Sequence, residues 1–118
     1  MHDFKKLNVW MEAIALVTEV YKTTKRFPSE EKFGLISQIN RCAVSIPSNI
    51  AEGAGRNSDK EFVNFLGIAN ASSYELETQL IIAKNLDYLN ENDLAVSSDK
   101  IDKIQKMIFK LKKKISQD

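Results

Sequence analysis

Two sets of polar side chains recur at spacings that place each on one helical face, and both sets can do chemistry. The first is Gln38, Arg41, Ser45, Asn49 and Glu52, spaced 3-4-4-3. At about 100° per residue these fall within an arc of about 80°, beside the apolar stripe of the same segment. A second stripe, Glu61, Asn64, Ser72, Glu75 and Gln79, is interrupted by Ile68. If a short glycine loop folds the two segments antiparallel, Gln38 faces Glu75, Arg41 faces Ser72, Asn49 faces Asn64 and Glu52 faces Glu61. Two readings fit. One is a structural polar network at a helix or subunit interface, where it specifies register. The other is a pocket for a small ligand or a nucleic acid. The network reading predicts that Arg41 is substantially buried and paired with a carboxylate, Glu75 first and Glu52 second.

The other set is cationic. Lys100, Lys103, Lys106, Lys110, Lys113 and Lys114 cluster opposite the series Leu94, Ile101, Ile104, Ile108, Leu111 and Ile115. A lysine-rich face either serves solubility alone or forms a strip that contacts phosphates. The phosphate reading gains weight if symmetry repeats the strip around a ring. Lys5, Lys6, Lys22, Lys25 and Arg26 extend it if the fold brings them to the same surface, which the sequence does not determine. Trp10 and the six phenylalanines sit mostly in apolar series and read as core, not as base-stacking platforms.

Other chemistries lack their residues. The single histidine, His2, falls in a frayed N-terminus, so zinc spacing and Ser-His or Cys-His catalysis are not expected. A di-iron site in a helical bundle needs Glu-x-x-His pairs, and Glu75 and Glu77 have no histidine partner. Gly53-Ala54-Gly55-Arg56 follows a helix rather than a strand and lacks the Lys-Ser/Thr of a phosphate loop. A helix C-terminus is also the wrong dipole end for an anion. The sequence predicts no catalytic residue, no cofactor and no metal.

The chain that must position these residues has 118 amino acids, 43% hydrophobic and 28% charged, with four Gly and two Pro. That size and composition suit one helical domain over residues 1–118. The formal net charge of +1 rules out a wholesale polyanion binder of the histone type. Residues 58–95 carry two basic against seven acidic side chains, however, and residues 96–118 carry seven basic against three acidic. One cysteine suits a reducing cytosol, and no membrane span or signal peptide is expected.

Four segments have helical periodicity. The first runs from about Val9 to Lys25, with Trp10, Ile14, Val17 and Tyr21 on one face and Val9, Ala13, Leu16 and Val20 in an adjacent column. The second opens at Ser29 as N-cap, carries Leu35, Ile39, Cys42, Ile46 and Ile50, and closes at Gly53 or Gly55. Pro47 interrupts it, and the in-phase pattern favours a kinked long helix over a break with Ser48 capping a new one. The third has a Ser58/Glu61 capping box and the seam Phe62, Leu66, Ala69, Ser73, Leu76, Leu80 and Ala83. The fourth begins near Asp93 and carries Leu94, Ser97, Ile101, Ile104, Ile108, Leu111 and Ile115. Four such seams bury only against one another, which predicts an all-α, antiparallel up-down four-helix bundle. Val9, Leu16, Val20, Val63, Ile68, Ile81 and Ile82 exceed what one seam needs, so a closed homo-oligomer is expected.

The run SIPSNIAEGAGR (Ser45–Arg56) resembles the hallmark of the bundle proteins encoded in 23S rRNA intervening sequences. FPSEEKFGLISQINRCAV (Phe27–Val44) and EFVNFLGIANASSYELETQLIIAKNLDYL (Glu61–Leu89) are similar to that family's flanking blocks, as is the Phe4-Lys5-Lys6-Leu7 opening. One departure is Asn70-Ala71-Ser72, where the family commonly has a Gly-Ser pair. The resemblance implies an antiparallel four-helix bundle, a ring-like homopentamer and no catalytic residues. It also implies association with ribosomal RNA, or with nucleic acid and its handling proteins, as in the related accessory proteins of diversity-generating retroelements.

Overall fold

A computed structural model describes residues 2–116. Four helices, α1 (Asn8–Thr24), α2 (Leu35–Ala54), α3 (Asp59–Asn85) and α4 (Glu91–Ser116), are joined by short connections. Two 3-10 turns, Phe4–Lys6 and Ser29–Glu31, precede α1 and α2. No strand occurs among the described residues. Each helix packs on the next in sequence, and α4 returns to α1. Cys42 meets Ser72 while Gly53 meets Phe62, so residue numbers rise along α2 as they fall along α3. Gln105 meets Ser73 and Lys112 lies over Gly67, the same relation between α3 and α4.

The α3 seam is buried at every expected position from Phe62 to Ala83. On α4, Ser97, Ile101, Ile104, Ile108 and Ile115 are buried, and Leu94 and Leu111 are half-buried at the margins. The heptad-like spacing puts these residues on one stripe, and burying that stripe removes about 25 cal/mol per Å² of apolar surface from water. On α1 the buried column is Val9, Ala13, Leu16 and Val20, while Ile14 and Tyr21 are exposed. The surplus apolar surface therefore differs from the expected set. Val9, Leu16 and Val20 belong to the core, and Met11, Ile14 and Tyr21 take their place outside.

The start of α2 also departs from expectation. Ser29 opens only a 3-10 turn, and the helix begins six residues later at Leu35. Gly34, at φ −107° and ψ −111°, is not helical. Glu31 explains the delay, since its Oε1 accepts from the Leu35 backbone N–H at 3.2 Å and its Oε2 accepts from the Tyr88 hydroxyl at 2.8 Å. A carboxylate has thus taken the capping role that sequence assigns most readily to Ser or Asp. Further on, α2 passes through Pro47 without interruption, and no separate helix begins at Ser48. Its C-cap is Gly55, and Gly53 lies inside the helix.

The remaining boundaries are local chemistry. Ser58 Oγ accepts from the Glu61 N–H at 3.2 Å, as a capping box requires. Asp87, at φ 63°, turns the chain after α3; Asp tolerates that region better than most residues. Asn90 Oδ1 then accepts from the Asp93 N–H at 2.8 Å, which starts α4 slightly earlier than the sequence suggests. His2 is held rather than frayed. Its N–H donates to Ala54 O at 2.7 Å, and its ring lies 4.9 Å from that of Phe62.

Candidate nucleic-acid interface

Because the α4 seam faces α1 and α3, the lysines on the other side of the helix meet water. Lys103, Lys106, Lys110, Lys113 and Lys114 are exposed, and Lys100, nearer the seam, is half-buried. Two of the six are neutralised. Lys103 pairs with Glu12 of α1 at 3.0 Å, and Lys106 pairs with Asp102 one turn back at 2.9 Å. Lys100, Lys110, Lys113 and Lys114 have no carboxylate within 4.0 Å among the described residues. Among the described residues, the strip is therefore four unpaired cations with two paired ones among them. Lys6 joins its far end, lining a recess of about 370 Å³ with Lys110, Lys114 and Met107.

A second recess beside the strip contains what sequence reasoning missed. Phe109 is 68% exposed and Tyr74 is 56% exposed, and both line a recess of about 540 Å³ with Lys106, Lys110 and Lys113. Phe109 is not core. The signal was present, since position 109 follows Ile108 and is rotated about 100° off the seam. Phe33 is likewise 90% exposed, with Lys32 Nζ 5.5 Å from its ring centroid.

The polar stripes of α2 and α3 separate into two groups. Gln38, Arg41, Ser45, Asn49 and Glu75 share a recess of about 460 Å³. Glu52 and Glu61 line another with Arg56. The expected burial and pairing of Arg41 does not occur within one chain. It is exposed and has no carboxylate within 4.0 Å among the described residues. Glu75 lines the same recess without coming within 4.0 Å of Arg41, and Glu52, eleven residues further along the same helix and about 16 Å away along its axis, is out of reach and pairs with Arg56 at 2.9 Å. Asn49 also stays local, donating to Ser45 O at 2.8 Å rather than crossing to Asn64. The crossing contact is Cys42, whose Sγ donates to Ser72 O at 3.1 Å. Burial first, and the negative charge of Glu75 second, push the Cys42 thiol up to about 11. It is no nucleophile at neutral pH.

Among the described residues, no group of three or more His, Cys, Asp or Glu side chains is placed to hold a metal ion. No described helix is long and apolar enough to cross a membrane. The arrangement supports charge contact with an anionic polymer and stacking on two open rings.

The chain is similar to a solved structure from Bacteroides thetaiotaomicron, described as a protein of unknown function from the S23 ribosomal protein family. The two share 24% identity over 89% of this chain and 98% of that one, with a TM-score of 0.82. That likeness is one of fold. No curated protein matches. The family model for 23S rRNA-intervening sequence proteins matches residues 5–110, and the chain belongs to that family.

Proposed function

We propose that this chain is a non-enzymatic RNA-binding protein that acts in the cytoplasm as a closed homo-oligomer, gripping phosphates through the α4 lysines. The observation that carries this reading is that Lys110, Lys113 and Lys114 are exposed and, with the half-buried Lys100, have no carboxylate partner among the described residues. Lysine contacts phosphate as a point charge and does not read bases, so binding should show modest sequence preference. The family description, which ties its members to 23S rRNA genes, makes structured ribosomal RNA the first substrate to test.

Oligomerisation is supported by exposed apolar side chains. Ile68, Ile82 and Leu86 continue the column of Ser72, Glu75 and Gln79 at alternating 4- and 3-residue steps, each about half exposed. Such a column is a second seam without a partner in the single chain. The number five rests on the family resemblance alone. A ring would repeat the lysine strip and raise avidity without any new contact.

A scaffold that binds only proteins is the second reading, favoured by that same apolar column. Retention of rRNA fragments by the parent and by a variant with Lys100, Lys110, Lys113 and Lys114 changed to Gln separates the two. Loss of retention with the oligomer intact supports the RNA reading. Equal retention by both proteins, or none by the parent at low salt, moves the conclusion to the scaffold.

A further inference from the structure

Charge alone does not account for the recess between α3 and α4. Burying a large side chain such as Phe stabilises a fold relative to leaving it exposed, so an open phenyl ring forgoes stabilisation. Phe109 nevertheless stands 68% exposed among lysines, and Tyr74 faces the same recess from α3. Neither ring is paired with another aromatic side chain among the described residues. Lys106 is occupied by Asp102 at 2.9 Å, while Lys110 and Lys113 beside the rings have no carboxylate partner among the described residues. Two open π faces with two unneutralised cations next to them match a ligand that carries flat rings on an anionic backbone.

We propose that this recess is a stacking subsite for unpaired bases of single-stranded RNA. Phe109 and Tyr74 supply the ring faces, and Lys110 and Lys113 engage the flanking phosphates. The inference rests on the RNA-binding reading and specifies its substrate, favouring single strands, loops and ends over continuous duplex. A duplex keeps its base faces stacked inside the helix, whereas a single strand can splay its bases onto aromatic side chains. Stacking accepts any base, so the subsite adds affinity and strand selectivity without sequence preference. The acidic stretch of α3 places no carboxylate in the recess. Asp102, the one carboxylate there, comes from α4 itself and is bound to Lys106.

The test compares the full-length parent, the double variant Tyr74→Leu/Phe109→Leu, and Phe109→Trp. The probes are a labelled mixed-sequence single-stranded RNA of about twelve nucleotides and a duplex of the same length, a size within the span of known single-strand sites. Both replaced rings are exposed, so the fold is expected to survive, and circular dichroism and light scattering verify this. The inference expects the double variant to lose about tenfold or more for the single strand. Duplex affinity and the salt dependence should stay as in the parent, and Phe109→Trp should retain single-strand binding. Parental single-strand affinity in the double variant overturns the inference and leaves the RNA-binding reading standing. So does a change in oligomer mass, which would mean that the rings seal a contact between copies. A parent that binds neither probe at low salt overturns both.

Discussion

Gly53 and Phe65 set how closely α2 and α3 approach. A Cβ built on Gly53 would stand 2.6 Å from the Phe65 Cβ and 3.0 Å from Cδ1 of Phe62. Real Cβ atoms do not come so near, and the Phe65 Cβ is fixed by its own backbone. A glycine inside a helix costs about 1 kcal/mol relative to alanine, so close approach is what the residue provides here. The tight crossing also brings the polar faces of α2 and α3 side by side.

Gly53→Ala should therefore destabilise the protein despite its better helix propensity. Overpacking typically costs about 1–3 kcal/mol, against a propensity gain of about 1 kcal/mol, and a backbone-fixed contact as short as this one belongs at the upper end, for a net loss of up to roughly 2 kcal/mol. Gly55→Ala is the control. Its added Cβ would lie 3.6 Å from the Glu52 carbonyl, an ordinary contact, and its φ of −85° suits alanine. Urea denaturation should show the first variant weakened and the second within about 0.5 kcal/mol of the parent. A more stable Gly53→Ala protein would contradict the close crossing.

Cys42 should resist alkylation. With its thiol pushed up to about 11 by burial and then by Glu75, little thiolate exists at pH 8. Iodoacetamide labelling of the native protein should run at least about 100-fold slower than that of the unfolded chain, whose thiol has an ordinary pKa near 8.5. The favourable term from the neutral thiol is complete below the unfolded value and is lost as pH rises through about 11. Glu75→Gln should speed labelling modestly, since charge is the smaller of the two causes. Native and unfolded rates that agree would show the thiol to be open.

The Tyr88–Glu31 bond should give stability a pH signature at both ends. The Tyr88 hydroxyl first, and the Leu35 N–H second, hold the Glu31 carboxyl below its ordinary value of 4.5. A depressed carboxyl stabilises the fold above the unfolded pKa, and this is lost as pH falls through the folded one. Tyr88 itself is raised above 10.0, chiefly by its bond to Glu31, so its contribution is present below 10.0 and lost as pH rises through the folded value. Tyr88→Phe should lower the thermal midpoint at pH 7, with the gap to the parent shrinking in acid below about 4.5 and in alkali above about 10. A gap that stays constant from acid to alkali would mean the bond is not formed in solution.

The helices were legible in the sequence where one side-chain period decides the outcome. Leu66, Leu76 and Ile104 lie on 3-4 seams and are fully buried. What periodicity cannot choose is which of two adjacent apolar columns turns inward. On α1 that choice depends on the approach of α2 and α4, and it buried Leu16 while leaving Ile14 outside. Caps that depend on distant partners were equally hidden, because Glu31 acts at the start of α2 while held by Tyr88 from the far side of α3. In the candidate site, the exposed lysines follow directly from the α4 seam. The pairing of Arg41 did not follow, because sharing a face with Glu75 does not bring the two charges into contact, and Glu52 lies three turns away on the same helix. Phe109 was obscured by composition, since a phenylalanine beside an isoleucine seam looks like core until its angular position is counted.

The most direct test of the central claim is the slope of log K for RNA binding against log salt concentration, for the parent and for the Lys100/Lys110/Lys113/Lys114→Gln variant. Each neutralised phosphate contributes about −0.7 to the slope for single strands and about −0.9 for duplex DNA. The account predicts a steep negative slope for the parent and a markedly flatter one for the variant, with the oligomer unchanged. A parental slope near zero, or a variant as steep as the parent, would contradict phosphate binding by α4.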